Sequence, residues 1–579
     1  GEIAILKSLK DKLNVGYELN FDNSKTLRRE GDWRMNMAYQ PSYVSESSGR
    51  FDKPLVENTL TFDEKFGKHA INVMVGNSYQ KETYNQISGE IQDILQTSSG
   101  KYYDVMDAGT SLPQAGGYRN VAVLLSYLGR LNYTYDDKYL LTATFRRDAS
   151  SRVKKENRWG NFPSISAAWR ISKERFFAPV KWVDDLKVRA SYGTLGSLNI
   201  GYWDYAPVIN TFLTATFGTE QLQQNAAIQT NLVNENLKWE SQTQLDFGFD
   251  ATAFNNRLTF SADYYISKTK DVLTAMPILM TTGNGAGNPV VNAASLENRG
   301  FEFSFGWREK RKDFSYYANL NFSTVKNKVT SLGYGRVDII SGQGRTAVGR
   351  PIGEFYLIKT DGIFQNDGEI QSYKNSEGKV IQPDAKPGDI KYIDFNDDGK
   401  ITDADRQVLG SPHSLFQAGI NMGFAWKNFD LKMNWFMDIG SDVFNATKQY
   451  MIGADAAGNG DSNYLKNFNY WTPERPTNIP RPIAGKITNR RDSDYWLENG
   501  SWVKLKTLSI GYTIPEKLLH KIHFNTCRVY VTCQNLLTIS SFSMQDPEYR
   551  KDNIWNKGYR GVAAYPNPFA INFGVQFQF

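Results

Sequence analysis

The sequence contains few residues that bind metals or form covalent cross-links. Among 579 residues there are two cysteines, Cys527 and Cys533, and four histidines. Both cysteines fall at the same parity of one predicted strand, which puts them about 20 Å apart, so they cannot form a disulfide with each other. No CxxC motif occurs, and the sequence therefore supports neither a zinc site nor a disulfide framework.

Long apolar runs and blocks of one charge are also absent. There is no run of about 18 apolar residues, which excludes a transmembrane helix but not a membrane β-barrel, whose signal is spread over short alternating segments. The 67 basic and 61 acidic residues are intermixed and leave a net charge of +6. This balance argues against nucleic-acid binding, which needs a concentrated basic surface.

Aromatic residues and alternating patterns are abundant instead. Phe, Tyr and Trp make up 14% of the chain, and 47 glycines supply turns. Residues 571–579 alternate apolar and polar side chains and end on Phe579. The same period of two runs through residues 125–136 and 139–148. One face of each strand suits hydrocarbon and the other suits water, as in an outer-membrane β-barrel.

Short and long connections alternate along the chain. The predicted short turns are Asp11-Lys12, Gly67-Lys68, residues 136–138, Asn255-Asn256, residues 310–312 and Lys427-Asn428, and the long links lie near 84–120, 197–240, 274–298, 330–415, 441–500 and 540–567. We predict an all-β fold, an antiparallel transmembrane β-barrel with about 17 strands in residues 1–579, short periplasmic turns and long extracellular loops. Complete bacterial barrels have an even number of strands and start on the periplasmic side, so the parity predicts that an odd number of first strands precedes this chain.

The polar faces of these strands supply the candidate lumen-lining residues. Alternation assigns to the water-facing side Arg130, Asn132, Thr144, Arg146, Asp148, Asp246 and Asp250. For each residue taken singly, a solvated position that contacts no ligand is the more ordinary interpretation.

A metal-binding pattern lies in the fourth of these long links. Residues 394–405 read DFNDDGKITDAD, which fits the D-x-[DN]-x-[DN]-G pattern with an acid at the twelfth position. We predict that calcium is held by Asp394, Asn396, Asp398, the Lys400 carbonyl and Asp405, and that it has a structural role. Asp405 has a shorter reach than the usual glutamate, and an acidic turn that binds no metal is the alternative.

Aromatic residues in the predicted loops are candidates for stacking on sugar rings. They are Tyr102, Tyr103, Tyr202, Trp203, Tyr205, Tyr470 and Trp471. Packing within the loops, or contact with a partner protein, explains them equally well.

Several stretches carry a family resemblance. Residues 125–159, 162–170 (FPSISAAWR), 186–196 (LKVRASYGTLG), 255–272, 387–410 and 503–515 (VKLKTLSIGYTIP) resemble the SusC/RagA-type TonB-dependent transporters of Bacteroidota. The resemblance runs through essentially the whole chain. It implies an outer-membrane barrel of about 22 strands, filled by an N-terminal plug and capped by a SusD-like lipoprotein. This sequence contains no recognisable plug or TonB box, so residues 1–579 are expected to be the C-terminal part of the barrel.

The resemblance implies active import through the outer membrane of a glycan or oligopeptide, driven by TonB through the plug segment. The expected partners are outer-membrane lipid, the SusD-like lipoprotein, TonB and the solute, with no nucleic acid. The alternative is a receptor barrel that binds without transporting. An enzyme is not expected, because no carboxylate pair stands out as acid and nucleophile.

Overall fold

The computed structural model describes residues 1–31, 39–219, 221–229, 232–276, 278, 288–452, 469–481, 488–519, 524–544, 546–548, 553–561 and 566–578. Its regular structure is dominated by antiparallel strands. Two compact units can be distinguished. Unit 1 comprises residues 1–169, 190–245 and 268–295, and unit 2 comprises residues 170–189, 246–267 and 296–579.

The strands vary from two to 24 residues. In the first half of the chain they are β1 (Glu2–Ala4), β2 (Leu9–Arg28), β3 (Tyr43–Phe66), β4 (His69–Gln92), β5 (Gln114–Tyr135), β6 (Tyr139–Ser150), β7 (Trp159–Arg170), β8 (Val183–Ser197), β9 (Ile209–Phe217), β10 (Leu222–Gln229), β11 (Glu240–Ala253), β12 (Leu258–Ala275) and β13 (Val290–Arg311). In the second half they are β14 (Phe314–Ser323), β15 (Lys326–Leu332), β16 (Asp338–Ser341), β17 (Gly344–Ala347), β18 (Glu354–Ile358), β19 (Thr360–Ile363), β20 (Ile390–Tyr392), β21 (Arg406–Gly410), β22 (Phe416–Trp426), β23 (Phe429–Ile439), β24 (Asp442–Asn445), β25 (Leu497–Asn499), β26 (Trp502–Thr513), β27 (Thr526–Ser540), β28 (Tyr559–Arg560) and β29 (Ala570–Gln578).

Among the described residues, helices are few and short. The α-helices are α1 (Asp367–Ser372), α2 (Ala446–Ile452) and α3 (Glu516–Leu519). Across the described ranges, no helix combines the length and the apolar character needed to cross a membrane. Single 3₁₀ turns, Ile171–Lys173 and Arg175–Phe177, occupy the link before β8.

The long strands form one antiparallel sheet. It contains 18 of the described strands, namely β1–β8, β11–β15, β22, β23, β26, β27 and β29, against about 17 predicted. In unit 1, β2 to β7 pair in consecutive order. In unit 2, β14 pairs with β22, and β22, β23, β26, β27 and β29 follow one another.

Most predicted short turns are confirmed, and one is wrong. Strand pairs close at Gly67-Lys68, at residues 136–138, around Asn255, around residue 312 and at Lys427-Asn428. Asp11-Lys12, by contrast, lies inside β2, where Asp11 pairs with Ile3 of β1 on one side and Leu60 of β3 on the other. Pairing on both sides holds this polar dipeptide extended, and the chain reverses earlier, at residues 5–8.

The alternation of faces is confirmed in β5 and β6. Tyr127 and Phe145 are 49% and 50% exposed, whereas Ser126 and Asp148, on the opposite face, are 1% and 8% exposed. In β29 the apolar residues, among them Phe573 at 80% exposure, are likewise exposed. Phe579 lies outside the described residues.

The long loops of unit 2 build a core of their own. Eleven buried residues form this loop core: Phe355, Leu357, Ile358, Ile381, Ile390, Tyr392, Ile401, Phe444, Ala446, Ile452 and Trp496. They come from both long links, 330–415 and 441–500, so the two links fold as one packed structure. Unit 1 has smaller clusters, one of them around Val153, Ile200 and Leu237.

Candidate functional site: a polar strand face and the long loops

Three of the predicted lumen residues line one cavity in unit 1. This cavity has a volume of about 850 Å³, and Thr144, Arg146 and Asp148 of β6 contribute to its wall. Arg130 pairs with Thr144 in the register of β5 and β6 and therefore shares its face. Asn132 accepts a hydrogen bond from the Thr142 hydroxyl at 2.9 Å. The five predicted residues of unit 1 thus lie on one polar face.

The charged side chains in the wall of the cavity are paired. Arg146 Nε donates to both oxygens of Asp148, at 2.8 and 2.9 Å, and its Nη2 donates to the Ser126 hydroxyl at 3.1 Å. Arg152 Nη2 donates to Glu82 at 2.7 Å. Because each guanidinium meets a carboxylate, the cavity offers oriented polar groups with little net charge.

Sequence reasoning missed several residues of this cavity. Gln80, Glu82, Arg152, Tyr192 and Trp239 all contribute to its wall. Arg152 keeps the parity of Asp148 and Ser150, but it lies beyond the end of β6, where alternation no longer assigns a face. If the alternation is continued for two residues past the end of the strand, it assigns Arg152 to the polar face.

Asp246 and Asp250 belong to unit 2 and take part in a different arrangement. Arg189 donates to Asp246, Asp250 and Asp263 at 3.1, 3.2 and 2.7 Å. Lys187 lies 2.9 Å from Asp250. Two cations therefore pair with three carboxylates. These contacts form a structural ion-pair network that links β8, β11 and β12.

In the predicted calcium loop, side-chain oxygens accept hydrogen bonds from backbone amides of the same loop. Asp394 Oδ1 and Asn396 Oδ1 both accept from the Asp398 amide at 3.2 Å, and Asp394 Oδ2 accepts from the Gly399 amide at 2.7 Å. Gly399 has φ +73°, a left-handed conformation that favours glycine. The side chains of Asp394 and Asn396 are thereby gathered around one turn, and Asn396 Nδ2 donates to the Asp398 carboxylate at 3.1 Å.

Asp405 closes the loop from its far end. Its carboxylate is fully buried and accepts from the amides of Phe395 and Thr402 at 2.9 and 2.6 Å. In the described part of the chain, no group of three or more acidic, histidine or cysteine side chains is close enough to hold a metal by itself. The set fits calcium only with mixed donors, in which the Asn396 amide oxygen and the Lys400 carbonyl supplement the carboxylates.

The loop aromatics have different surroundings. Trp203 is 47% exposed, and its Nε1 donates to Asn120 at 2.8 Å. The Arg152 guanidinium lies 4.6 Å from the centre of the Tyr202 ring. Tyr205 packs on the Val153 cluster, as Tyr102 does on a cluster around Val44. Tyr103 is 48% exposed.

Tyr470 and Trp471 make contacts within the loops. Tyr470 packs against the loop core, and Trp471 is 6% exposed with its Nε1 donating to Gln365 at 2.8 Å. Four of the predicted aromatic residues pack within the protein: Tyr102, Tyr205, Tyr470 and Trp471. The other three keep side-chain surface that a ligand can contact: Tyr103, Tyr202 and Trp203.

Residues 6–536 match the family described as TonB dependent receptor-like, beta-barrel. The chain belongs to this family, which comprises receptors and transporters of the outer membrane rather than enzymes. The long alternating strands and the short turns are the features of the fold that agree with it.

Curated relatives give the comparison more detail. TonB-dependent receptor P3 of Formosa agariphila is 33% identical over 543 residues, which are 91% of this chain and 52% of that protein. TonB-dependent receptor SusC of Bacteroides thetaiotaomicron is 28% identical over 487 residues, 81% of this chain and 45% of that protein. The chain therefore spans about half the length of the curated relatives it matches.

A solved structure shows the same fold. A structure of the RagAB peptide transporter matches with a TM-score of 0.81 at 22% identity, covering 100% of this chain and 61% of that chain. The resemblance to SusC/RagA-type proteins, inferred from motifs, is thus confirmed.

Proposed function

We propose that this chain is the barrel part of an active importer that takes a glycan or an oligopeptide through the outer membrane. Membership of the TonB-dependent receptor family over residues 6–536 is the observation that carries the proposal. The relatives named SusC and RagAB support a SusD-like surface lipoprotein as partner and a glycan or peptide as cargo. Energy would come from TonB acting on a plug segment that the longer relatives have room for.

The strand faces suit this function. A barrel wall needs an apolar outer face for lipid and a polar inner face for water, plug and solute. Tyr127 and Phe145 lie on one face of the β5–β6 hairpin and Arg146 and Asp148 on the other. The pairing of Arg146 with Asp148 and of Arg152 with Glu82 lowers the net charge that a polar solute would meet in the cavity.

Uptake in cells tests the importer. We expect labelled solute to accumulate in cells that carry the full-length gene, and accumulation to fall to the level of a gene deletion when TonB is removed. Surface binding measured on the same cells is the control. If binding persists and accumulation is the same with and without TonB, the protein is a receptor that does not transport.

We also propose that the loop formed by residues 394–405 holds a structural calcium ion. Asp394, Asn396, Asp398, the Lys400 carbonyl and Asp405 are the ligands. The support is the sequence pattern, together with the shared Asp398 amide that gathers Asp394 and Asn396. Calcium would replace repulsion among these acids by attraction and so fix the loop against its neighbours.

Replacing Asp398 by alanine tests the calcium loop, because this carboxylate is exposed and the hydrogen bonds that it accepts, from the Lys400 amide and from Asn396 Nδ2, lie within the loop itself. We expect calorimetry to show one bound calcium per wild-type chain and a weakening of about 10-fold to 100-fold in the variant. Asp384→Ala, an exposed acid outside the loop, is the matched control and should bind as wild type does. Equal calcium affinity in Asp398→Ala and wild type would refute the assignment.

A further inference from the structure

The apolar outer face of β4 to β7 in unit 1 carries one row of polar side chains. In the register of these strands Asn77 lies opposite Tyr127, Tyr127 opposite Arg147, and Arg147 opposite Asn161. Directly opposed residues of paired strands share one face of a sheet, and all four of these are exposed. The next row on this face, towards the short turn at residues 136–138, is apolar throughout: Val75, Gly129, Phe145 and Pro163. The polar row therefore marks one end of an apolar band.

Aromatic rings mark the other end of the band, beside the short turn. Tyr139 lies between Tyr135 and Trp169, whose ring centres are 6.3 and 6.4 Å from its own. Tyr139 and Arg147 are eight residues apart on β6, which is about 26 Å along a strand and about 20 Å in height at the usual tilt of a barrel strand. This height approaches the thickness of the apolar band of an outer-membrane barrel. Because short turns are periplasmic, Arg147 lies at the extracellular interface.

The guanidinium of Arg147 is positioned by an aromatic ring but meets no anion. It lies 4.6 Å from the centre of the Trp159 ring, and Tyr127 stacks on Trp159 at 6.2 Å. It has no hydrogen-bond or ion-pair partner among the residues that the structure describes. The neighbouring Arg146, on the opposite face, is by contrast paired with Asp148. Stacking leaves the N–H donors at the edge of the Arg147 guanidinium available to a ligand.

A second cation lies further out on the same face. Gln80 and Glu82 contribute to the wall of the cavity in unit 1, so Lys81, between them, points to the opposite, outer face. Lys81 lies opposite Val123, four residues beyond Tyr127 and so about 13 Å further along the strands. Its ammonium has no side-chain partner within the described ranges. Two cations thus stand at successive heights above the apolar band.

The charges and the apolar rows together define the ligand. The acid in the row next to Lys81 is Asp52, which lies opposite Thr83 and accepts from the Tyr17 hydroxyl at 3.5 Å. Two cations against one acid favour an anion, and a phosphate can accept two parallel hydrogen bonds from one guanidinium. A soluble phosphate would leave the apolar rows below Arg147 without a contact. A lipid with a phosphate in its headgroup matches the cations and the apolar rows at once.

We propose that Arg147 and Lys81 bind the phosphate-bearing headgroup of a lipid in the outer leaflet of the membrane. Asn77 and Asn161 donate to oxygens of the same headgroup, and the acyl chains lie on the apolar rows below. Because Trp159 already holds the guanidinium in place, little side-chain freedom is lost on binding. This site goes beyond the proposed import function, since it lies on the outer face of the strands and not on the face that lines the cavity.

Lipid binding by the purified full-length protein in an uncharged detergent tests the site. The probes are lipid A that carries one phosphate, the same lipid A without the phosphate, and inorganic phosphate. We expect native mass spectrometry to show saturable binding of the phosphorylated lipid, about tenfold stronger than that of the dephosphorylated lipid. Arg147→Gln should abolish this preference. Arg147→Lys, which keeps the charge but not the paired donors, should retain part of it.

The control variant is Arg175→Gln, because Arg175 is an exposed arginine in the link before β8. It should bind both lipids as wild type does. The proposal is overturned if the two lipids bind equally well, or if Arg147→Gln keeps the wild-type preference, since the arginine would then only be hydrated. It is also overturned if inorganic phosphate competes as effectively as the phosphorylated lipid, because the site would then be one for a soluble anion.

Discussion

Replacing Trp496 by alanine is expected to lower the free energy of unfolding of the loop core by about 3–5 kcal/mol, the usual cost of removing a large buried aromatic side chain. Trp496 is fully buried. Its Nε1 donates to the Arg491 carbonyl at 3.1 Å, and Tyr495 packs edge-on at 4.7 Å. Removal leaves a cavity at the centre of the loop core and an unpaired carbonyl beside it.

Hydrogen exchange of backbone amides measures this effect locally, which matters because the strands of the sheet can remain folded when the loops open. The amides of β18 and β20 should exchange faster by a factor corresponding to the lost free energy. Trp203→Ala, which removes a half-exposed tryptophan in unit 1, should leave those amides unchanged. Unchanged exchange in Trp496→Ala would show that the two long links do not fold around a common core.

The second large effect is expected at a buried ion-pair cluster that holds the last long loop. Lys504 is 1% exposed and its Nζ lies 2.5 Å from Asp546 and 2.8 Å from Glu548. Lys506 also pairs with Glu548. The buried Arg560 donates to the Asp546 carbonyl. Lys504→Met keeps the volume and removes the charge, which leaves buried carboxylates uncompensated at a cost of about 3–5 kcal/mol.

The matched control is Lys10→Met, because Lys10 pairs with Glu2 at 3.2 Å where both side chains are half exposed. Exposed pairs contribute about 0–1 kcal/mol. Protease cleavage within residues 541–567 and hydrogen exchange at residues 546–548 report opening of the loop. Equal effects of the two variants would contradict a buried role for Lys504.

The same cluster predicts a pH dependence. Burial alone would raise the pKa of Asp546 and of Glu548, but hydrogen bonds from Lys504, with Lys506 at Glu548, outweigh it and hold both below their ordinary values. Carboxylates with a lowered pKa stabilise the folded loop above their unfolded pKa, near pH 4, and this stabilisation is lost as the pH falls through the folded values. Acid should therefore release the wild-type loop, and Lys504→Met should show a weaker pH dependence.

Much of the strand framework could be predicted from the sequence, because polar and apolar side chains alternate with a period of two wherever the two faces of a strand meet different media. The β5–β6 hairpin shows this, since its predicted turn and polar face are both confirmed. Asp11-Lys12 shows the limit. A polar dipeptide predicts a turn only when no neighbouring strand pairs with it. The pairing of β2 with β1 and β3 is a tertiary contact that the dipeptide itself does not reveal.

The loop core could not be predicted for a related reason. Ile390 and Trp496 meet in space although about a hundred residues separate them, and neither belongs to a periodic segment. The calcium pattern differs, because its residues are neighbours in sequence and a short motif carries the whole arrangement.

The shared loop core also constrains how such proteins diversify. Residues 355–401 and 444–496 contribute to one packed interior, so neither link can acquire a new shape while the other keeps its old one. Exchange of a single link between two relatives would bring together side chains that never evolved to fit. Chimeras that aim to transfer solute preference should therefore move both links as one cassette and leave the strands between them in place.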